Sequence, residues 1–269
     1  MAWYGRYGYN TAGDLKAFFD YIITNYGQDE NGYGWTIKDA NAGTNIGVYQ
    51  CQPDANSKFV LVIKDNQTGY ADIEYWDDWD ATAHSGVGNS MTYGCNSSYK
   101  LQIWKRAGQW FAAIDKDRIV YVSLGMNMAY YLGYPDRFDA TKDTPLFVGW
   151  NNYSTTQGSL QNPLGYWANT VDKPEWRAFR SAEGNYNISA LLYPAAFTTL
   201  TPDSKYICIE SLIVVGNYCL GKLKGVFSKA IAAPIVYSGQ RFQINGEYWI
   251  AIRASSGSTE YGTCYIKQA

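Results

Sequence analysis

Two apolar runs, Trp110-Phe111-Ala112-Ala113-Ile114 and Ile119-Val120-Tyr121-Val122-Ser123-Leu124, are separated only by the polar tip Asp115-Lys116-Asp117-Arg118. Strand formers on both sides of an Asp-rich tight turn specify a β-hairpin. No other stretch constrains the fold as strongly. Shorter runs of the same kind recur along the chain. They are Trp35-Thr36-Ile37, Gly47 to Cys51, Phe59 to Ile63, Leu101 to Trp104, Tyr206 to Val215, Ala233 to Tyr237, Arg241 to Ile244 and Tyr248 to Arg253. Each is bounded by Gly, Asn, Pro or Asp, as strands are, and Asn245-Gly246 between the last two is a hairpin turn signal. One segment departs from this pattern. Leu15, Phe18, Phe19, Ile22, Ile23 and Tyr26 fall at helical spacing, with Thr11 placed to cap the start, Asp14 three residues on, and Gly27 at the end. This predicts an amphipathic helix over about 12–26.

From Asn151 to Thr201 the sequence is rich in Asn, Ser, Gly, Pro and aromatics, which predicts a long loop or arm over about 151–201. No internal repeat, heptad or linker divides the chain. The expectation is one β-rich domain over residues 1–269, mainly β, built as a β-sandwich or jelly-roll-like double sheet with the N-terminal amphipathic helix packed on it or on a neighbour.

Function is constrained by an imbalance among side chains. The chain has 25 Tyr, 10 Trp and 10 Phe against a single His and 17% charged residues. Tyr and Trp supply large rigid contact area with a polar tip, so such a chain builds sticky surfaces more readily than acid/base sites. A net charge of -2, with no basic run, argues against a nucleic-acid surface, which needs clustered Lys and Arg. The longest apolar stretches, such as Ile207 to Val215, fall short of a bilayer span, so membrane insertion is not expected. Met1-Ala2-Trp3-Tyr4-Gly5-Arg6 lacks the features of a secretory signal, which predicts a chain made and kept in a cytoplasm until assembly or lysis. The five cysteines, Cys51, Cys95, Cys208, Cys219 and Cys264, are widely spaced with no C-x-x-C pair. They read as buried apolar thiols, not as metal ligands.

The order of segments resembles a family of virion structural proteins from the neck and tail region of tailed bacteriophages. The residues that carry the likeness are the N-terminal helix, Trp110-Phe111, Asp117-Arg118, Ile119-Val120-Tyr121-Val122, Ala129-Tyr130-Tyr131-Leu132-Gly133-Tyr134-Pro135, Pro145-Leu146 and Gly149. Gly221-Lys222-Leu223-Lys224-Gly225-Val226-Phe227 is similar to the family's Gly-Glu-Leu-Asp-Gly-Val element, with Lys in place of both acids. The resemblance implies a non-enzymatic particle component present in several copies, with no catalytic residue to transfer.

Two regions stand out as candidate sites. Tyr75-Trp76-Asp77-Asp78-Trp79-Asp80 sets carboxylates beside indoles, the ingredients of a sugar platform or glycosidase pair. If it is a strand end, alternation puts Asp78 and Asp80 on one face and Asp77 on the other. The bland expectation is a strand ending in a solvated acidic loop that leads into the Gly-rich Ser85 to Ser90 stretch. Trp76, Asp78, Trp79 and Asp80 are the candidate glycan contacts, and clustered carboxylate oxygens make calcium the sharper minority reading. His84 has no nucleophile motif beside it, and Ser85-Gly86-Val87-Gly88 lacks the context of a phosphate loop. The second region is the aromatic set Tyr130, Tyr131, Tyr134, Trp150, Tyr153, Tyr166, Trp167 and Trp176. It reads as a candidate subunit interface, as a ligand-contact surface, or as a second core layer under a long loop.

The expected function is a structural subunit of a tailed-phage or phage-like particle. Its expected partners are copies of itself and other neck or tail proteins, and its location the virion. No catalytic residue, cofactor or metal is expected. A carbohydrate- or receptor-binding module of a tail appendage is the alternative, with a host glycan as partner, and a glycoside hydrolase ranks third.

Overall fold

The structure is a computed structural model that describes residues 1–91, 101–137, 145–151, 165–169, 174–178, 208–215, 218–229, 239–244, 246–253 and 263–268. In chain order, β1 is Ala2–Gly8, α1 Asp14–Tyr26, β2 Gly34–Asp39, β3 Ile46–Gln52, β4 Phe59–Lys64, β5 Tyr70–Asp80, β6 Ser85–Met91 and β7 Leu101–Trp104. There follow β8 Gly108–Asp115, β9 Arg118–Ser123, a short 3-10 turn Leu124–Met126, β10 Met128–Gly133, β11 Asp136–Arg137 and β12 Pro145–Asn151. The remaining strands are β13 Gly165–Asn169, β14 Pro174–Ala178, β15 Cys208–Val215, β16 Tyr218–Lys229, β17 Arg241–Ile244, β18 Glu247–Arg253 and β19 Thr263–Lys267.

These strands make antiparallel sheets, so the chain is mainly β with one α-helix among the described residues. A seven-stranded sheet runs β1-β8-β9-β10-β12-β13-β14. A second runs β2-β3-β4-β5-β6, with β7 also on β5, and a third runs β11-β16-β19-β18-β17, with β15 on β16. Three sheets stand where a double sheet was expected, and the opening hairpin explains why. A sheet with one wet face alternates apolar and polar residues, whereas β9 and β10 are buried at every position. Trp110, Ala112, Ile114, Ile119, Tyr121, Tyr130 and Leu132 face a core shared with α1 and the second sheet. Phe111, Ala113, Val120, Val122, Ala129 and Tyr131 face a separate core shared with Leu223, Val226, Ile250, Ile252 and Ile266 of the third sheet. A strand that is apolar on both faces needs a covering layer on each side.

The hairpin tip also ties two layers together. Asp115 pairs with Arg118 across the turn, Lys224 Nζ donates to Asp117 Oδ2 at 2.6 Å, and Lys222 lies 3.5 Å from Asp136. The two lysines that replace acids in the resembled element thus meet acids of this chain.

Helix α1 buries Leu15, Phe18, Phe19, Ile22 and Ile23. Its start differs from the capping expected of Thr11. Gly13 closes the turn in the left-handed region (φ 82), and no side chain of the preceding loop caps the helix. The Asp65 carboxylate at the end of β4 accepts hydrogen bonds from the amides of Leu15 (2.7 Å) and Lys16 (3.1 Å). A charged acceptor at the positive end of the helix does the work of the cap.

Several segments depart from the sequence expectation. Ser85–Met91 is strand β6, not loop, and Tyr130-Tyr131 lie in strand β10, not in irregular chain. Within the stretch read as an arm, β13 and β14 pair in register from Gly165↔Ala178 to Asn169↔Pro174. The rest of 151–201, other than Asn151 at the end of β12, lies outside the described residues, as does Ala233 to Tyr237. Among the described residues no helix is long and apolar enough to cross a membrane.

Candidate functional site

The acidic-aromatic segment ends β5. Up to Tyr75 the strand alternates, with Ala71, Ile73 and Tyr75 in the main core. Between Trp76 and Asp78 the register against β6 then shifts. The extra residue lies on β6, between Val87 and Ser90, and Trp76 and Trp79 of β5 both reach the small cluster formed by Val48, Val60 and Val62 on the far face of the second sheet. Trp79 is only 8% exposed, and its Nε1 donates to Asp39 Oδ2 at 2.9 Å. The Trp76 ring lies against Gly86, where a Cβ would come within 2.0 Å of a ring carbon. Packing therefore covers Trp79 and one face of Trp76.

The carboxylates are engaged locally. Asp77 Oδ2 accepts from the Asn89 amide (2.8 Å) and Nδ2 (3.0 Å). Asp78 pairs with Lys58 at 2.6 Å and Lys38 at 3.3 Å. Asp80 Oδ1 accepts from the amides of Thr82 and Ala83 and so caps the β5–β6 turn. Burial pushes the Asp78 carboxyl up, but Lys58, the Trp79 amide and Lys38 outweigh it and hold the group down at about 2. Asp80 is held low by the Ala83 and Thr82 amides. Asp39 is raised by burial and lowered further by His84, Trp79 and the Asn41 amide, for a net fall. A general acid requires a carboxyl kept protonated near neutrality, and Asp39, Asp78 and Asp80 all shift the opposite way.

His84 sits at the turn with φ 51, its Nδ1 2.7 Å from Asp39 Oδ2. Sequence spacing did not bring these two together. They have the shape of a base with its orienting acid, but among the described residues the ring makes no other hydrogen bond, so no nucleophile completes the arrangement. No group of three or more His, Cys, Asp or Glu is placed to hold a metal ion among the described residues.

The second candidate set divides. Tyr130 is 3% exposed in the main core, and its hydroxyl accepts from the Trp104 amide at 2.8 Å. Tyr131 is fully buried in the other core, its hydroxyl donating to the Tyr134 carbonyl at 2.7 Å. Burial pushes both phenols far up. These two rings are core residues of the three-layer stack and present no outer surface, the outcome of strand β10 having a layer on each side. Tyr134 is half-buried, its ring 5.4 Å from Phe59 of the second sheet. Trp150, Tyr166, Trp167 and Trp176 fall in β12, β13 and β14, and Tyr153 lies outside the described residues.

Exposed aromatics gather elsewhere, along β1 and α1. Tyr7 (54%) and Tyr9 (69%) are the most exposed rings among the described residues and meet edge-on at 5.2 Å. Tyr4 packs 4.4 Å from Tyr21 and 6.4 Å from Tyr26, both exposed on the helix. Trp3, on the opposite face of the strand, stacks on Phe111 at 5.4 Å. β1 is the end strand of the seven-stranded sheet, so this aromatic rim borders an open sheet edge. Sequence reading missed it because glycines interrupt the run. The alternation Trp3, Gly5, Tyr7, Tyr9 against Tyr4, Arg6, Gly8 was the available signal. No protein-family model matches this chain, and no curated protein matches it.

Proposed function

We propose that this chain is a non-enzymatic structural subunit that assembles through aromatic surfaces, with copies of itself and with other proteins of a tailed-phage or phage-like particle. The observation that carries the reading is the rim of Tyr7, Tyr9, Tyr21 and Tyr26, all exposed, along the open edge at β1. Exposed tyrosines flanking one sheet edge, Tyr7 with Tyr9 at the strand and Tyr21 with Tyr26 on the helix against its other face, have the composition of an interface core, not of a solvated face. The likeness of the hairpin and its neighbours to neck and tail proteins supplies the kind of particle, with the virion as the place of work. Stacked antiparallel sheets with α1 docked on them suit a sandwich-type scaffold, since rigid layers hold edge residues in position.

The engaged carboxylates support the non-enzymatic part of the reading. The carbohydrate-binding alternative has less support, because it needs bare indole faces at Trp76 and Trp79, and packing covers Trp79 and one face of Trp76. Light scattering on the full chain over a concentration series tests the proposal. A closed oligomer, or reversible association with rising concentration, is expected. A strict monomer at every concentration would contradict it, and retention of that monomer on a polysaccharide column would favour the carbohydrate-binding reading.

A further inference from the structure

We propose that β1 is a self-pairing strand, so that two copies of this chain join edge to edge, antiparallel about a twofold axis at Gly5, and fuse their seven-stranded sheets. This rests on the assembly reading above and names its surface and its partner. β1 pairs with β8 over seven consecutive positions, from Ala2↔Ile114 to Gly8↔Gly108, with no register shift. In an antiparallel pair the backbone groups alternate in direction, so half of those in β1 point away from β8. Among the described residues the backbone of Ala2–Gly8 bonds to β8 alone. Among the described residues, the outward-pointing donors and acceptors of this edge are free.

Natural sheets blunt such edges with bulges, charge, proline or short length, and the other outer strands here show these devices. β2 has a register shift between Ile37 and Asp39 and carries Lys38. β14 begins with Pro174 and holds Glu175 and Arg177. β7 and β17 are four residues each, and β11 is two. β1 has none of them. It is regular and free of proline, and its single charge, Arg6, is drawn back onto Asp14 at 2.7 Å.

The strand is also complementary to itself. Pairing about Gly5 sets Trp3 opposite Tyr7 of the other copy, and Tyr4 opposite Arg6 of the other copy. Trp3–Tyr7 pairs then form on one face, each occurring twice by symmetry, while Arg6 stays on Asp14 on the other. No like charges face one another in this register. An isologous contact of this kind closes at two copies, with larger assemblies left to other surfaces.

The test is amide hydrogen exchange on the full chain, below and above the concentration at which its mass rises, beside the mass of Tyr7→Asp. Alternate amides of residues 2–8 are expected to slow in the associated state while those of β9 stay unchanged. Tyr7→Asp is expected to weaken association roughly tenfold, from two lost cross-strand pairs. A wild-type chain that associates with β1 exchanging equally fast in both states overturns this inference and leaves the assembly reading standing. A chain that stays monomeric at every concentration overturns both.

Discussion

Lys105 and Asp65 have fully buried side chains and pair directly, and each also serves the backbone of the helix start. Lys105 Nζ donates to the Thr11 carbonyl at 2.6 Å, while Asp65 Oδ2 holds the first amides of α1. Removing one partner leaves the other charge buried without compensation, so Lys105→Met is expected to cost about 3–5 kcal/mol, measured by urea unfolding. Asp65→Asn leaves the Lys105 ammonium buried without its counter-charge and is expected to cost a similar amount, although its amide oxygen still accepts from Leu15 and Lys16. Asp78 gives a prediction of known sign. Its carboxyl is depressed to about 2 in the fold, so its stabilisation is complete above the unfolded value of 3.8 and is lost as pH falls toward about 2. Subtracting the unfolding profile of Asp78→Asn from that of the wild type should therefore give a difference that shrinks across this window. The subtraction also cancels Asp65, raised by burial, whose contribution runs the other way. A difference that stays constant from pH 5 to pH 2 would show that Lys58 and Lys38 do not hold Asp78 in solution.

At the scale of elements, α1 is joined to the sheets by rings. Phe18 meets Trp110 at 6.1 Å and Tyr121 at 5.7 Å, and is fully buried. Phe18→Ala is expected to cost about 3–5 kcal/mol in chemical denaturation, by lost burial plus the cavity left behind. The helical spacing of that face was legible because five apolar residues repeat on it. The cap was not, since Asp65 lies far away in sequence and only the folded sheet brings it to the helix. The β8–β9 hairpin was legible for the same local reason, and its uninterrupted apolar run already held the clue to a layer on each side. β1 and β6 were missed because Gly5, Gly8, Gly86 and Gly88 dilute their strand propensity. Strict alternation fails at the end of β5, where Trp76 and Trp79 reach one cluster, so Trp79 lies in a core and not on a platform.

The whole molecule is a stack in which the middle sheet carries both cores and the end strand β1 carries the exposed aromatic rim. Of the proposed sites, the carboxylates and indoles of β5 are absorbed by this architecture. Trp79→Ala is accordingly expected to lower stability by about 3–5 kcal/mol in urea unfolding and to leave any retention on a polysaccharide column unchanged. Loss of retention in a variant of undiminished stability would restore the glycan reading. The kind of particle proposed rests on an order of segments in the sequence alone, and the surface proposed for assembly lies outside most of those segments. The most direct measurement is the solution mass of the wild-type chain beside the double variant Tyr7→Asp/Tyr9→Asp, by light scattering at matched concentrations. The account predicts an associated wild type and a folded, monomeric variant. Equal masses for two folded proteins would contradict it.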